Sequence, residues 1–317
     1  MRKIFSCILV FVFLSFSCFS EGKQEKPLHT INVSYVKSPF NLPQIIMKER
    51  GMLESAFSDR GIEVRFHGIE SGAQQAQAMA AGSLDIGGVM NTTSVLLSVS
   101  AGNDVRIISG FSRPEKVFAI ASADQSITGI RDLEGKKVAG PKGTVLHQLL
   151  IAALESKGLE ITDIEFLQMS IPQASTAMLA GHIDAALLAG SVLIQAQNSG
   201  ARIVATAEGF VRPKLVIAAR GAFLDAHGEA VALYLQTHRE ALEWMRANEN
   251  EALRIGAAEQ GISREEARTL YEWTNFTDTL SPEDLSTMKD DIKFMLGNGM
   301  LAKEINPESC IAGFALP

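Results

Sequence analysis

Five short segments of this chain gather residue types that hold a small anion through hydroxyl and backbone N–H donors. They are Ser38-Pro39-Phe40-Asn41, Ser71-Gly72, Asn91-Thr92-Thr93, Gly143-Thr144-Val145 and Gly190-Ser191. Each follows a β-type run and opens a helical one. A helix start exposes N–H groups that have no intrahelical partner and carries partial positive charge, so it attracts anions and carbonyl or sulfonyl oxygens. Ser, Thr and Asn at such places also cap their own helices. Capping accounts for any one of them taken alone, but five such turns on one crevice point to a ligand. The candidate binding residues are therefore Ser38, Phe40, Ser71, Gly72, Asn91, Thr92, Thr93, Gly143, Thr144, Gly190 and Ser191. His147, just inside the helix after Gly143-Thr144, joins them as the one titratable candidate.

Other chemistry has little to rest on. The six histidines show no HxxxH or HExxH spacing, and no cysteine pair is placed for a metal. There is no GxSxG elbow, Walker loop or GxGxxG after a strand. No catalytic residue, metal or cofactor is expected. Arg113 reads as an exposed charge beside Pro114, and Asp290-Asp291 as a solvated helix-face pair. Tyr271 and Trp273 fit a C-terminal helix packing inward as well as they fit an aromatic lid. The net charge of -7, with no Lys/Arg run beyond pairs, argues against a nucleic-acid partner.

The elements that must position these turns alternate along the chain. β-type runs such as Ile31–Val36, Glu63–Phe66 and Asp85–Val89 are followed by helical stretches such as Leu42–Arg50 and the one opened by Asn91. The pattern then recurs about a hundred residues on. Glu63-Val64-Arg65-Phe66 is echoed by Asp163-Ile164-Glu165-Phe166, and Ala78–Ile86 by Ala177–Ala185. Two strands joined by a helix lie parallel, so each copy is a βαβ unit. Asp85 and Asp184, at matching places in the copies, read as turn or strand-entry residues. A chain of 317 residues also exceeds the roughly 250–300 at which a single core stops growing. The expected fold is α/β and two-lobed, each lobe a mostly parallel sheet flanked by helices. Lobe I takes 30–117 and 211–317, and lobe II takes 118–210. Two crossings then make a hinge and leave a cleft.

The N-terminus reads as a targeting device. Arg2 and Lys3 precede an apolar run from Ile4 to Phe16, which is shorter than the roughly 20 residues a spanning helix needs. Leu14-Ser15-Phe16-Ser17-Cys18 resembles a bacterial lipobox, with Ser15 standing where Leu is preferred. This divides the chain into a signal peptide over 1–17 and a lipidated Cys18 with a polar tether over 18–29, with ordinary signal cleavage and an uncleaved N-terminal anchor as the alternatives, all three of which export the domain. Cys7 would be discarded, leaving Cys310 unpaired in an oxidising compartment.

Several segments together resemble the solute-binding proteins of bacterial ABC importers for nitrate, sulfonates and taurine, which include binders of pyrimidine and flavin precursors. Ile45–Leu53 is similar to the first helix of that family and Ala78–Gly88 to the segment closing its second unit. Asp132–Ala139 is similar to its entry into lobe two, and Gly143-Thr144, Gly158-Leu159 with Asp163–Glu165, and Gly181–Ala186 to later landmarks. Coverage runs from Ile31 to about Leu188. The resemblance implies a periplasmic-binding-protein clamp of type II-like form, a monomer that holds a small-molecule solute between its lobes. It implies ligand contacts from the loops after Val36, Phe66, Val89, Ala139 and Leu188. It further implies delivery to membrane permease subunits, and location in the periplasm or cell envelope through the lipid anchor. A sulfonate-like anion leads the expected solutes. A heteroaromatic vitamin or pyrimidine precursor, or an enzyme on the same fold, stays open beside it.

Overall fold

The computed structural model describes residues 27–36, 39–69 and 71–317. Cys18, the signal peptide and Ser38 lie outside the described residues. Among the described residues the strands are β1 (Thr30–Tyr35), β2 (Glu63–Gly68), β3 (Ile86–Asn91), β4 (Val105–Ser112) and β5 (Phe118–Ser122). They continue with β6 (Lys137–Gly140), β7 (Glu165–Gln168), β8 (Ala185–Ala189), β9 (Arg202–Thr206) and β10 (Leu215–Arg220). The helices of the first half are α1 (Leu42–Glu49), α2 (Met52–Ser58), α3 (Gly72–Ala80), α4 (Thr92–Ser100), α5 (Val145–Glu155) and α6 (Ile171–Leu179). Then follow α7 (Gly190–Asn198), α8 (Gly221–Ala226), α9 (Gly228–Ala247), α10 (Glu249–Gln260), α11 (Arg264–Thr274) and α12 (Pro282–Gly297).

Two five-stranded mixed sheets result, ordered β2-β1-β3-β10-β4 and β7-β6-β8-β5-β9. In the first, β1 pairs in parallel with β2 and β3, and β10 runs antiparallel between β3 and β4. The second repeats the plan, with β6 parallel to β7 and β8 and with β5 antiparallel between β8 and β9. The chain leaves each sheet by its edge strand, β4 or β9, and enters the other as the antiparallel strand. Each half therefore donates one strand to the neighbourhood of the other, and two crossings join the sheets.

The sequence repeat has a physical basis at matched aspartates. Asp85 Oδ2 accepts from Asn32 N at 2.9 Å and Asn32 Nδ2 at 3.0 Å. Asp184 Oδ2 accepts from Lys137 N at 2.7 Å. In each copy the carboxylate before the third strand ties down the central one, as a strand-entry role requires. Asp85 also takes Arg220 Nη2 at 2.6 Å, which binds the returning strand β10 to the same point.

Beneath the carboxyl ends of β1 and β3 lies a buried polar cluster. Ser34 Oγ donates to Gln75 Oε1 and accepts from Gly88 N, and Gln75 Nε2 donates to Val89 O. Gln44 Nε2 donates to Ser34 O, and Asn41 Nδ2 to Val36 O. Ser34, Asn41, Gln44 and Gln75 are all fully buried. Polar groups so placed are costly unless bonded, and this pairing locks α1 and α3 onto the sheet. Gly88 makes the close approach possible, since a Cβ there would stand 2.0 Å from Gln44 Nε2 and 3.0 Å from Ser34 O.

The helical stretch that begins at Gly221 breaks at His227 into α8 and α9. One expectation needs correction. Asp291 is not solvated: its side chain is 14% exposed and pairs with Lys214 at 3.0 Å, while Asp290 faces solvent beside Lys293. Helix periodicity located both aspartates on the surface, but the crossing segment passes over one of them.

His238, on α9, is fully buried and stacks on Phe111 with ring centroids 5.4 Å apart. Desolvation lowers its pKa to about 3, with Arg239 adding to the effect. The unfolded imidazole protonates near 6.5, so this group's contribution is complete above that pH and is lost as pH falls toward 3. Two outcomes are expected. Gly88→Ala lowers the stability by about 2–3 kcal/mol, read from a urea midpoint at constant slope; an unchanged midpoint contradicts the packing described. His238→Phe flattens the decline of stability between pH 6.5 and 4 by at most about 1.4 kcal/mol per pH unit, and a profile as steep as the parent's contradicts it.

Candidate functional site

A cavity of about 560 Å³ lies between the two sheets, at the carboxyl ends of their parallel strands. Its wall is made by the loop ends Val36 and Pro39, the start of α3 at Ser71-Gly72-Ala73, and the end of β3 at Val89-Met90-Asn91. From the second sheet come Pro141 to Leu146, Gln168 to Ile171, and Phe118. The starts of α3, α4, α5 and α6 thus converge on one space. Helix N-termini oriented this way give the cavity a positive field without a full charge.

Local hydrogen bonding leaves donors for a guest. Neither Ser71 nor Thr144 caps its own helix, and Thr144 Oγ1 donates instead to Pro141 O at 2.8 Å. Asn91 does cap α4: its Oδ1 accepts from Ser94 N and Ser94 Oγ, both at 2.9 Å, which leaves the Nδ2 donor for a ligand. Ser94 Oγ also lies 2.8 Å from Gly143 O, so its one hydrogen serves either Asn91 Oδ1 or this carbonyl, and the contact brings the two sheets together at one edge of the cavity. Lys142 brings a full positive charge to the wall. No Asp, Glu, His or Cys is among the described residues that line it. Met90, Phe118, Leu146, Met169 and Leu215 supply an apolar remainder.

Of the sequence candidates, Ser71, Gly72, Asn91, Gly143 and Thr144 are brought together at this wall. The others are placed elsewhere, each for a definite reason. Phe40 is fully buried in the core, where a Cβ on Gly256 would touch its ring at 2.8 Å. Thr92 gives its N–H to Lys214 O, and Thr93 Oγ1 donates to Gln148 Oε1 at 2.7 Å. His147 turns from the cavity toward β7, its ring 5.1 Å from Phe166. Burial, and then the nearby charge of Lys142, lower its pKa to about 4, so it stays neutral. Gly190 and Ser191 form a seam between the sheets rather than the cavity wall. Gly190 has φ +57°, and a Cβ there would meet Pro39 Cα at 2.7 Å; Ser191 Oγ donates to Gln260 Oε1 at 2.6 Å. Arg113 pairs with Asp284, its Nε 2.9 Å from Oδ1. Tyr271 and Trp273 pack on the core.

Sequence reasoning missed Lys142 and the Gln168–Ile171 turn. The turn had a signal: Ser170 stands after β7 as Ser71 stands after β2, so the repeat itself marks it. Lys142 had none, since an exposed loop lysine looks like any other.

A second cavity, about 740 Å³, lies where the crossings meet α12. Six of its charged side chains are spent on one another, in Arg113–Asp284, Arg212–Glu283 and Lys214–Asp291 pairs, and the others on its wall, Glu115 and Asp290, are acidic. The cleft between the sheets is the better candidate because helix starts and Lys142 face it with no carboxylate among its described residues.

A Bacillus subtilis (strain 168) protein, named as a candidate aliphatic sulfonates-binding protein, is 24% identical over 98% of this chain and 95% of its own. The taurine-binding periplasmic protein of Escherichia coli (strain K12) is 30% identical over 40% of this chain and 39% of its own. The structure of the alkanesulfonate-binding protein from Xanthomonas axonopodis pv. citri, bound to MOPS, superposes with a TM-score of 0.81. That match is at 20% identity and covers 90% of this chain and 99% of the other. The family model described as NMT1/THI5 like matches residues 55–252. The chain belongs to the NMT1/THI5-like family and carries the two-lobed periplasmic-binding-protein fold.

Proposed function

We propose that the chain is the extracytoplasmic solute-binding component of an ABC importer, and that its solute is a small organic anion with a sulfonate-like head. The observation that carries this is the wall itself: four helix starts and Lys142 face one cavity with no carboxylate among its described residues. An anionic head meets partial positive charge and N–H donors there, and an alkyl tail meets Met90, Phe118, Met169 and Leu215. Ser71, Gly72, Asn91, Gly143 and Thr144, with Lys142 and Ser170, are the proposed contacts. Full-length similarity to a candidate aliphatic sulfonates-binding protein supports the same solute class.

The two lobes, 30–117 with 211–317 and 118–210, close on the solute, because only the closed form lets both sets of helix starts contact it. The permease subunits then receive the closed form. The chain works as a monomer held to the membrane by lipid on Cys18, with the tether through residue 29 giving reach. In this reading Cys310 stays a buried, unreactive thiol, its pKa pushed up to about 11 by burial.

Phe118 on the wall favours a second reading, a heteroaromatic solute stacked on that ring. Turnover has less to support it, since no Asp, Glu, His or Cys is among the described residues of the wall.

The test is a thermal-shift and calorimetric comparison of straight-chain alkanesulfonates, the matching alkylammonium ions, nitrate, pyrimidines and flavins. A ligand at about 100-fold excess over Kd adds roughly 2.7 kcal/mol to stability. The sulfonates are expected to stabilise and the ammonium ions not to. Lys142→Met is expected to weaken sulfonate binding about fivefold, the scale of an exposed ion pair. Equal stabilisation by the cations, or unchanged affinity in Lys142→Met, contradicts the anion reading. Stabilisation by a heteroaromatic alone moves the assignment to the second.

A further inference from the structure

Away from the cavity wall the lobes meet at a largely buried polar contact whose residues, Thr93, Gln148 and Asp291, do not line the cavity. Gln148 lies on α5, four residues after Thr144, and is 3% exposed. Its carboxamide is held at both ends by residues packed with the first sheet. Oε1 accepts from Thr93 Oγ1 of α4 at 2.7 Å, and Nε2 donates to Asp291 Oδ1 of α12 at 2.7 Å. The other oxygen of Asp291 accepts from Lys214 Nζ at 3.0 Å, and Lys214 Nζ also donates to Arg212 O at 2.9 Å. Lys214 belongs to the second crossing, and its side chain is 4% exposed. A residue of one lobe is thus inserted between two residues of the other, and the charge it meets is anchored to the hinge.

We propose that Gln148 is a closure latch: a positioning residue that sets the balance between open and closed lobes without contacting the solute. Both of its hydrogen bonds exist only with the lobes together. On opening, Asp291 keeps Lys214 and water takes the place of Gln148. The bond to Asp291 is charge-assisted and buried, so it is among the stronger contacts available to the closed form. The opposite flank joins the lobes through neutral contacts, Ser191 Oγ to Gln260 Oε1 and Gln195 Nε2 to Gln260 O, and through the solvent-open pair of Asn198 Nδ2 with Glu266 Oε1. Because α5 starts at the cavity, the latch also fixes where Thr144 and Val145 present their N–H groups. Solute affinity then scales with the closed population that the latch maintains.

The proposal rests on the clamp reading above, and its test uses no solute, so the two fail separately. Amide hydrogen exchange is followed in the full protein without ligand. Thr93→Val, which removes the hydroxyl at nearly constant shape, and Gln148→Ala are each expected to speed exchange at the start of α5 about five- to tenfold. The same factor is expected across α7 on the other flank, because the lobes part as bodies. The combined variant is expected to exchange no faster than Gln148→Ala alone. Thr93→Ser, which keeps the hydroxyl, is expected to return parent rates. If Gln148→Ala fails to fold, the Thr93 pair decides. Acceleration confined to α4 and α5, or parent rates in a folded Thr93→Val, overturns the latch.

Discussion

The interaction on which the rest depends is the convergence of helix starts, with their partial positive charge, on one space. A helix that follows a parallel strand begins at that strand's carboxyl end, so α3 to α6 have no choice about which edge of their sheet they start from. Two sheets built to one plan, each with its parallel-strand carboxyl ends on the cavity, bring four such starts to it. Nothing in the side chains alone produces that field. Topology does, and Lys142 adds to it. The supporting cost falls on the polar cluster around Ser34, Gln44 and Gln75, which holds α1 and α3 in place from below and tolerates no Cβ at Gly88.

The exchange of antiparallel strands does a second job. β5 and β10 tie each lobe's central strands to the segment that has just left the other lobe. The crossings therefore end inside well-paired sheets. Charged side chains cover these crossings in mutual pairs, and one of them, Lys214–Asp291, reaches inward to Gln148. Cavity, crossings and the contact between the sheets thereby share the same few helices.

Much of this was legible in the residues. The echo of Glu63–Ile86 in Asp163–Ala185 foretold paired βαβ units, and Asp85 and Asp184 show why the echo exists: each carboxylate holds the N–H of a central strand. The turns at Ser71, Asn91 and Thr144 were legible because a parallel strand and a helix on either side dictate where they lie. Phe40, His147 and Ser191 were misplaced because strand-to-helix position sets where a backbone goes, not where its side chain turns. Phe40 turns into the core and His147 toward β7, while Ser191 reaches Gln260. Asp291 and Gln148 were invisible for a different reason. Their partners lie 77 and 143 residues away, and only the folded crossing brings the three together.

The most direct test of the central claim is a crystal structure of the protein with a short straight-chain alkanesulfonate. The account predicts the sulfonate oxygens within hydrogen-bonding distance of N–H groups at the starts of α3 and α5, with the alkyl chain along Met90, Phe118 and Met169. A sulfonate bound outside the space between the sheets, or bound with its head on the methionines and its tail at the helix starts, would contradict it.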